Sequence, residues 1–421
     1  MNPSNTFWLT VAIFSLTYLG LALGRVPWLR IDRAGIALVG ATLMIVSGVL
    51  PLPEAVRSVD YETIILLFGM MVVVAFLRLS GFFDQLAHSA LDRFRTPYGL
   101  LAVTILLSGV LSAFLVNDIV CLALTPLVIQ LARRLQFNPL PHLIGLATAA
   151  NIGSTATLTG NPQNMIIGSL SHIAYLRFTV CLAPVAVIGL AIDFLVIAVV
   201  YRRILGVTQA VANQSLQEPA ERQQHSHPEA QHWLLRKSVA VTLVTVILFF
   251  IGVPIALVAL GAAAVLFLSR VRPEKVYSQI DWSLLVMFCG LFVVVHAFEV
   301  KVVHQWHIER WSLILDHPLS VLSVVSAVLS NLVSNVPAVL LFEPIIPVMP
   351  ASTQEGAWMA LAMSSTLAGN LTVLGSVANL IVVAIARREG VAISFLEYCR
   401  AGIPTTILTL ALGVGWLYLI G

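Results

Sequence analysis

Four short polar segments interrupt long apolar stretches of this 421-residue sequence. They are rich in glycine, amide and hydroxyl residues, and their only charged side chain is Asp118. Neutral donors and acceptors of this kind can hold a small polar solute or an ion. A carboxylate inside an apolar stretch is costly in a membrane, which makes it a functional candidate. The segments are "FLVNDIV" (114–120), "NIGSTATLTGNPQN" (151–164), "LVSNVPA" (332–338) and "GNLTVLGSVAN" (369–379).

The composition indicates that these segments belong to a polytopic protein of the lipid bilayer. The chain is 59% hydrophobic and 10% charged, whereas a soluble protein has about 25% charged residues. Apolar stretches of about 18 residues recur from end to end, as in membrane-spanning helices. The four cysteines lack metal-ligand spacing, so no metal site is predicted, and the net charge of +3 indicates no nucleic-acid partner.

The two halves of the sequence resemble each other. "DYETIILLFGMMVVV" from Asp60 aligns with "DWSLLVMFCGLFVVV" from Asp281, and "LSAFLVNDIVCLALTP" from Leu111 aligns with "LSNLVSNVPAVLLFEP" from Leu329. The second of these alignments makes Asn117 equivalent to Asn335. A third block, "TLTGNPQN" from Thr157, aligns with "TVLGSVAN" from Thr372, which makes Gly160 equivalent to Gly375 and Asn164 equivalent to Asn379. Duplication of this kind is typical of secondary transporters.

The basic residues predict how the two repeats cross the membrane, because Lys and Arg near helix ends stay cytoplasmic. If the N-terminus is outside and the stretches 98–132 and 318–350 are re-entrant hairpins, all but four of the 23 Lys and Arg fall in cytoplasmic segments. The repeats are then inverted and both termini are extracytoplasmic. The expected location is a bacterial-type inner membrane. The predicted spans are 7–24, 34–51, 62–79, 142–175, 179–201, 238–252, 254–269, 283–299, 357–386 and 401–420.

The predicted fold class is therefore all-α, with about ten spans, two inverted repeats, and in each repeat a hairpin and a discontinuous helix. The hairpins should reverse near Asn117-Asp118 and near Asn335-Val336-Pro337. The stretch from Tyr201 to Lys237 is polar and predicts a flexible cytoplasmic linker. The predicted parts are two scaffold helices (1–59), the first repeat (60–203), the linker (204–237), two scaffold helices (238–280) and the second repeat (281–421).

Broken helices explain why neutral polar segments occur at membrane depth. Unpaired backbone groups cost several kcal/mol in lipid, so such segments persist only where protein or a water-filled cavity satisfies them. In inverted-repeat transporters, broken helices meet near the midplane and bind substrate and ions there. The predicted binding residues are Asn117, Asp118, Asn151, Gly153, Ser154, Thr155, Gly160, Asn161, Gln163, Asn164, Asn335, Asn370, Thr372, Gly375, Ser376 and Asn379.

These motifs resemble the arsenite-permease/sodium–proton-antiporter (ArsB/NhaD-type) branch of the ion transporter superfamily over about residues 60–420. The resemblance implies two inverted repeats whose hairpin-tip and broken-helix motifs form the substrate and coupling-ion site. Relatives that transport carboxylates carry Ser-Asn-Thr at both tips. Here the tips are Val116-Asn117-Asp118 and Ser334-Asn335-Val336, a departure that argues against a carboxylate substrate and its pattern of sodium sites.

Several acidic residues have competing interpretations. Asp118 is predicted to be the proton-coupling group, with a helix N-cap as the alternative. Glu343 could lie near the outer mouth of the second hairpin. Asp193 lies in the middle of a helix, where a structural hydrogen bond and a proton relay both stay open. Asp60 and Asp281 stand at helix starts and are explained by capping.

The absence of Lys and Arg from the predicted site favours a neutral or weakly charged oxyacid such as arsenous acid. The leading hypothesis is proton-coupled arsenite or antimonite efflux, in arsenical resistance. Alternatives are sodium- or proton-coupled transport of another anion such as a carboxylate or sulfate-like ion, sodium–proton antiport, and an ion channel. No HExxH, GxSxG or GxxxxGK[ST] motif is present, so neither an enzyme nor a cofactor is predicted, and a separate ATPase subunit and a homodimer stay open.

Overall fold

The computed structural model describes residues 3–23, 31–91, 96–206, 228–303 and 317–420. Within these residues every regular element is a helix. Residues 207–227 of the predicted linker lie outside the described residues, as do Arg25, Arg30, Arg93, Arg95, Arg222 and Arg310. The α-helices are α1 (Pro3–Leu23), α2 (Arg33–Val46), α3 (Leu52–Arg57), α4 (Tyr61–Leu79), α5 (Phe82–Leu91), α6 (Pro97–Phe114), α7 (Asn117–Arg134), α8 (Leu140–Ser154), α9 (Pro162–Ser171), α10 (Tyr175–Val200), α11 (Arg202–Leu205), α12 (Pro228–Ile251), α13 (Ile255–Phe267), α14 (Pro273–Tyr277), α15 (Trp282–Lys301), α16 (Pro318–Val333), α17 (Asn335–Leu340), α18 (Ala351–Ala368), α19 (Val377–Arg388) and α20 (Phe395–Ile420).

Seven of the described helices are long and apolar enough to cross a membrane. They are α1, α4, α6, α10, α12, α15 and α20, and three shorter apolar helices, α2, α13 and α16, accompany them. α8 with α9 and α18 with α19 are the halves of two interrupted helices, and α7 and α17 are the second helices of the two hairpins. The predicted all-α fold of two inverted repeats, each with a hairpin and a discontinuous helix, is confirmed.

Each repeat contains one hairpin that reverses beside its asparagine. In the first, α6 ends at Phe114 and α7 begins at Asn117, so the turn is made by two extended residues before Asn117. In the second, α16 joins α17 through Ser334, whose φ of 79° lies in a region that L-residues seldom adopt. The prediction placed both turns one or two residues too late, because each asparagine starts the second helix of its hairpin.

The interrupted helices restart at side-chain caps. Asn161 Oδ1 accepts a hydrogen bond from the backbone N–H of Asn164 at 2.8 Å and so caps α9. Ser376 Oγ accepts from the backbone N–H of Ala378 at 3.2 Å and caps α19. Polar caps of this type satisfy helix-end N–H groups that lipid could not satisfy. Both restarting helices therefore direct positive N-termini into the interior of the protein.

The two halves of the chain interlock through equivalent glycines. A Cβ at Gly69 of α4 would lie 2.6 Å from the Ala259 carbonyl carbon of α13. A Cβ at Gly290 of α15 would lie 2.7 Å from the Ala37 carbonyl carbon of α2. Only glycine permits helix backbones to approach this closely. Because Gly69 and Gly290 are equivalent in the aligned repeats, the first helix of each repeat packs on a scaffold helix of the other half.

The two helix N-caps predicted from the sequence are observed in the structure. Asp60 accepts from the backbone N–H groups of Glu62 and Thr63, and Asp281 accepts from that of Leu284, so both act as the predicted N-caps. One boundary differs from the prediction: α12 begins at Pro228, so the last ten residues of the predicted flexible linker, 228–237, are helical.

Candidate functional site

Each helix break is closed by one asparagine, and the two asparagines make equivalent bonds. Both are fully buried, and each donates through Nδ2 to two carbonyls of its own break. The partners of one are separated from the partners of the other by the same 215 residues that separate Gly160 from Gly375. The acceptors are Ser154 O (3.1 Å) and Thr157 O (3.0 Å) for Asn164, and Gly369 O (2.7 Å) and Thr372 O (3.1 Å) for Asn379.

The hairpin tips are bonded to the same breaks. The backbone N–H of Asn117 donates to Gly160 O at 3.1 Å. With its amide oriented by the surrounding donors and acceptors, Asn335 Nδ2 donates to Gly375 O at 3.1 Å, and its Oδ1 accepts from Gln163 at 3.2 Å. Gly160 and Gly375 are equivalent in the two repeats, so each tip is held by the corresponding carbonyl of its own break.

Asn151 joins the two halves of the site. Its Oδ1 accepts from Asn117 Nδ2 and from Ser376 Oγ, both at 3.0 Å. Its Nδ2 donates to Asn370 Oδ1 at 2.8 Å and to Asn379 Oδ1 at 3.1 Å. One fully buried amide on α8 thus contacts the first hairpin tip and the second helix break, and all four of its bonds are to side chains.

A second cross-repeat contact centres on Thr366 of α18. Its hydroxyl accepts from Asn161 Nδ2 and Gln163 Nε2, each at 3.2 Å. Thr366 is the repeat equivalent of Asn151 at the offset of 215 residues. The two break asparagines differ in one bond. Asn379 Oδ1 accepts a hydrogen bond from Asn151, whereas Asn164 Oδ1 is buried without a hydrogen-bond partner in the described part of the chain.

A cavity of about 660 Å³ reaches this network from one side. Five predicted binding residues line it, and the remaining buried amides lie behind them. The lining also contains the helix-start residues Asp32, Arg33 and Asp281, so three carboxylates and one guanidinium face the cavity. The predicted residues in the lining are Asn117, Asp118, Gln163, Asn335 and Ser376.

Asp118 stands between the first hairpin and the second break. It lies in the first turn of α7, and Val116 occupies the N-cap position, so the capping alternative does not hold. Its carboxylate interacts with the backbone N–H of Ala378, in the first turn of α19, and with the charge of Asp281 across the cavity. A carboxylate is therefore directed at the positive N-terminus of a helix from the other repeat.

Other predicted residues support the site rather than face the cavity. Gly153 lies against the backbone of Gly109, where α8 crosses α6. The Ser154 and Thr155 hydroxyls donate to Asn151 O at 2.8 and 3.2 Å. Thr372 Oγ1 donates to Asn331 Oδ1 at 3.4 Å.

Three residues of this region were not predicted from the sequence. The position of two of them in the repeats, or near a hairpin tip, could have indicated them. Thr366 is the repeat equivalent of Asn151, and Asn331, near the second tip, lines the cavity. Thr148, on α8 before the break, had no such signal; its carbonyl accepts from Asn370 Nδ2 at 3.1 Å.

The two other acidic candidates lie apart from the cavity. Glu343 lies three residues after the end of α17, within the predicted hairpin stretch 318–350, and has Glu299 and His296 nearby. Asp193 is fully buried in α10 and is bonded to the hydroxyls of Thr148 and Thr405. In the described part of the chain, no hydrogen bond joins either carboxylate to the amides around Asn151.

Comparison with known proteins identifies the family. The profile of the citrate transporter family (CitMHS) matches residues 18–367. The chain belongs to this family. The resemblance to the ion transporter superfamily drawn from the tip and break motifs is confirmed, and the chain is a secondary transporter of that family.

Its relatives carry different names. The silicon efflux transporter LSI3 of Oryza sativa is 31% identical, over 92% of this chain and 93% of the relative. A 46 kDa membrane protein of Mycobacterium leprae is 30% identical over 98% of each chain. A Dictyostelium discoideum transporter with the name arsB is 27% identical, over 93% of this chain and 88% of that one.

A solved structure shares the fold. The YdaH transporter of Alcanivorax borkumensis, described as having an unusual topology, superposes with a TM-score of 0.58 at 16% identity. The superposition covers 100% of this chain and 97% of that chain. The multi-pass membrane architecture follows from the family and from the seven apolar helices.

Proposed function

We propose that this transporter exports a small, uncharged oxyacid of the arsenous or antimonous acid type in exchange for protons. The observation that carries the proposal is the charge of the site. The network around Asn151 consists of amides, hydroxyls and carbonyls, and no Lys or Arg bonds to it within the described residues.

The charge of the cavity argues against citrate. Among the described residues that line the cavity, a tricarboxylate would face Asp32, Asp118 and Asp281, with Arg33 as the counter-charge. Buried like charges repel strongly, and burying an anion requires paired charges or several charge-assisted bonds. An uncharged acid carries no such penalty, because its hydroxyls donate to amide oxygens and carboxylates and its oxygens accept from amide N–H groups.

Competition at Asp118 would couple such a substrate to protons. An ionised Asp118 accepts hydrogen bonds from the substrate hydroxyls and from the N-terminus of α19. A proton bound to the same carboxylate removes an acceptor and weakens its attraction to that helix N-terminus. Substrate and proton therefore exclude each other, so a proton taken up from one side promotes substrate release to that side. This is the linkage that an exchanger requires.

The names of two relatives support the choice of substrate class. One is named for silicon efflux and another arsB. Dissolved silicon at neutral pH is mainly silicic acid, which like arsenous acid is an uncharged hydroxyl compound. A site of neutral amides beside one carboxylate suits both compounds.

Contacts at the helix ends support the proposed orientation in a bacterial-type inner membrane, with both termini outside and residues 204–237 cytoplasmic. Arg133 pairs with Glu389 at 3.1 Å, so the ends of α7 and α19 share one side. Arg177 pairs with Glu355 at 2.7 Å, which joins the starts of α10 and α18. We assign the first pair to the cytoplasmic side and the second to the outside, and keep the division of the chain into two repeats, four scaffold helices and a linker.

The test is flux in proteoliposomes. Wild-type protein should accumulate arsenite or antimonite against its gradient when a pH gradient is imposed, and should not accumulate citrate. Asp118→Asn keeps the size and most hydrogen bonding of the side chain but does not titrate. It should lose accumulation and keep exchange of internal for external substrate.

Asp60→Asn is the matched control, because Asn replaces Asp well as an N-cap and Asp60 does not line the cavity. This control should accumulate substrate as the wild type does. If Asp118→Asn still accumulates substrate in a pH-dependent way, coupling through Asp118 is wrong. If citrate is the accumulated solute, the proposed substrate class is wrong.

One observation favours sodium coupling as a second candidate. Asn164 Oδ1 is a buried carbonyl oxygen without a donor in the described part of the chain, and such oxygens are ligands for hard cations. Replacing the pH gradient by a sodium gradient in the same vesicles separates the two. Accumulation that follows sodium alone would favour this alternative.

A further inference from the structure

Asp193 is a buried carboxylate that the proposed exchange at Asp118 does not use. It lies in the middle of α10, with an exposure of 0%, and it is not part of the cavity lining. The described residues contain no ion pair to it. An isolated charge in a membrane interior is costly, so we ask which groups stabilise the charged and the neutral form of Asp193.

One of the hydroxyl groups that contact Asp193 has two possible acceptors. Asp193 Oδ2 lies 3.0 Å from Thr148 Oγ1, and Oδ1 lies 3.4 Å from Thr405 Oγ1. Thr148 Oγ1 also lies 2.9 Å from the carbonyl oxygen of Ile144, one turn earlier in α8. A threonine hydroxyl has a single proton, so it can donate to the carboxylate or to the carbonyl but not fully to both.

The two protonation states therefore bond differently. When Asp193 is protonated, its O–H donates to Thr148 Oγ1, and the Thr148 hydroxyl donates to Ile144 O, so all three contacts are satisfied. When Asp193 is ionised, the Thr148 hydroxyl must turn to the carboxylate and leave Ile144 O. The protonation state of Asp193 therefore determines whether the Thr148 hydroxyl bonds to Ile144 O within α8.

α8 connects Thr148, whose hydroxyl changes its acceptor, to the amides of the substrate site. The Thr148 carbonyl accepts from Asn370 Nδ2 at 3.1 Å, and Asn370 Oδ1 accepts from Asn151 at 2.8 Å. Thr148 and Asn151 are three residues apart on the last two turns of α8 before the break. Asp193 is therefore connected to the Asn151 amide by two routes. One runs through three hydrogen bonds by way of Thr148 and Asn370, and the other through one hydrogen bond and three residues of α8.

Within the described residues, the charge of Asp193 acts on a titratable side chain of α20. This side chain is Tyr398, and its hydroxyl is buried without a hydrogen-bond partner in the described residues. Cys121 of α7 and Cys399 of α20 act on Tyr398 in turn. On α8, the titratable residue is His142, whose two ring nitrogens contact the carbonyls of Asn138 and Pro97.

We propose that Asp193 is a second proton-binding site, separate from the substrate cavity, and that its protonation state alters the hydrogen bonding of α8 behind Asn151. The effect on transport rests on the proposed proton-coupled exchange, whereas proton binding itself does not. Asp193 binds and releases a proton during the cycle, and the Thr148 hydroxyl changes its acceptor each time.

The direct test is infrared difference spectroscopy of the purified full-length transporter between acidic and alkaline pH. The carbonyl stretch of a protonated carboxylic acid should appear at low pH and vanish at high pH. Asp193→Asn should lose that band, and Asp118→Asn should keep it. Thr148→Val should shift its frequency, because the acid O–H loses its acceptor.

Thr409→Val is the matched control for the threonine change. Thr409 is buried in α20 and its hydroxyl donates to Thr405 O, within its own helix, without contacting Asp193. This variant should leave the frequency of the band unchanged. If Asp193→Asn does not yield folded protein, the comparison of Thr148→Val with Thr409→Val still decides the question.

Three results would overturn the proposal. Asp193→Asn could keep every titrating band, the band could persist at all pH values, or Thr148→Val could leave its frequency unchanged. A persistent band would make Asp193 a permanently neutral structural group. A wild-type transporter that ignores the pH gradient in vesicles would instead refute the proposed proton coupling, while leaving the infrared result for Asp193 valid.

Discussion

Replacing the central amide should destabilise the protein by a predictable amount. Asn151→Ala removes four side-chain hydrogen bonds at once. Two of the partners, Asn117 and Ser376, line the cavity, so water can replace the lost bonds there. The other two, Asn370 Oδ1 and Asn379 Oδ1, belong to residues with an exposure of 0% that do not line the cavity.

The cost follows from those two acceptors. Neither has another donor within the described residues, and a buried polar atom left without a partner costs about 1–3 kcal/mol. The two together cost about 2–6 kcal/mol, and the lower end applies if water enters the space left by the amide. The penalty falls on contacts between the repeats, so we expect early loss of the contact between α8 and the second break.

The measurement is denaturation of purified protein in detergent, followed by the fluorescence of the eight tryptophans. Asn331→Ala is the matched control, because Asn331 also donates two amide bonds near the second break, at 3.1 and 2.9 Å, but it lines the cavity. We expect a loss of about 1 kcal/mol for this control, since water can take the place of its amide.

Two outcomes for these variants would contradict the prediction. Equal losses for Asn151→Ala and Asn331→Ala would mean that burial of the two acceptors does not govern the cost. A wild-type unfolding midpoint together with wild-type flux for Asn151→Ala would mean that this amide does not join the two halves of the site.

Three further predictions concern the tips, the helix crossing and the orientation. Asn117→Ala and Asn335→Ala should each abolish flux while leaving extractable protein, and wild-type flux in the double variant would show that the tips do not meet the substrate. Gly153→Ala should cost about 1–3 kcal/mol in the same unfolding assay, because its methyl group would overlap the backbone of α6; an unchanged midpoint would contradict the close crossing. In a variant without native cysteines, Ser278→Cys should react with an impermeant thiol reagent only from the cytoplasmic side and Ser352→Cys, also exposed, only from outside; the reverse pattern would invert the proposed orientation.

The sequence by itself determined the membrane class, the duplication and the interruption of two helices. Each of these follows from local chemistry. Low charge and apolar length define spans, and an uncharged polar segment such as 151–164 cannot remain a lipid-facing helix. The alignment of the repeats also determined equivalences. Asn164 and Asn379 were paired by register alone, and in the structure they make the same two bonds to their own breaks.

Only the tertiary structure decided which of these residues meet. Asn151 bonds to Asn370 and Asn379, more than 200 residues away, and its repeat equivalent is Thr366, so symmetry alone would not have predicted the contact. The same holds for Asp193, whose two hydroxyl partners come from α8 and α20. Hydropathy defines that a segment is buried but not which helix covers it. That choice depends on close helix crossings, such as those at Gly69 and Gly290, which bring distant segments within hydrogen-bonding distance.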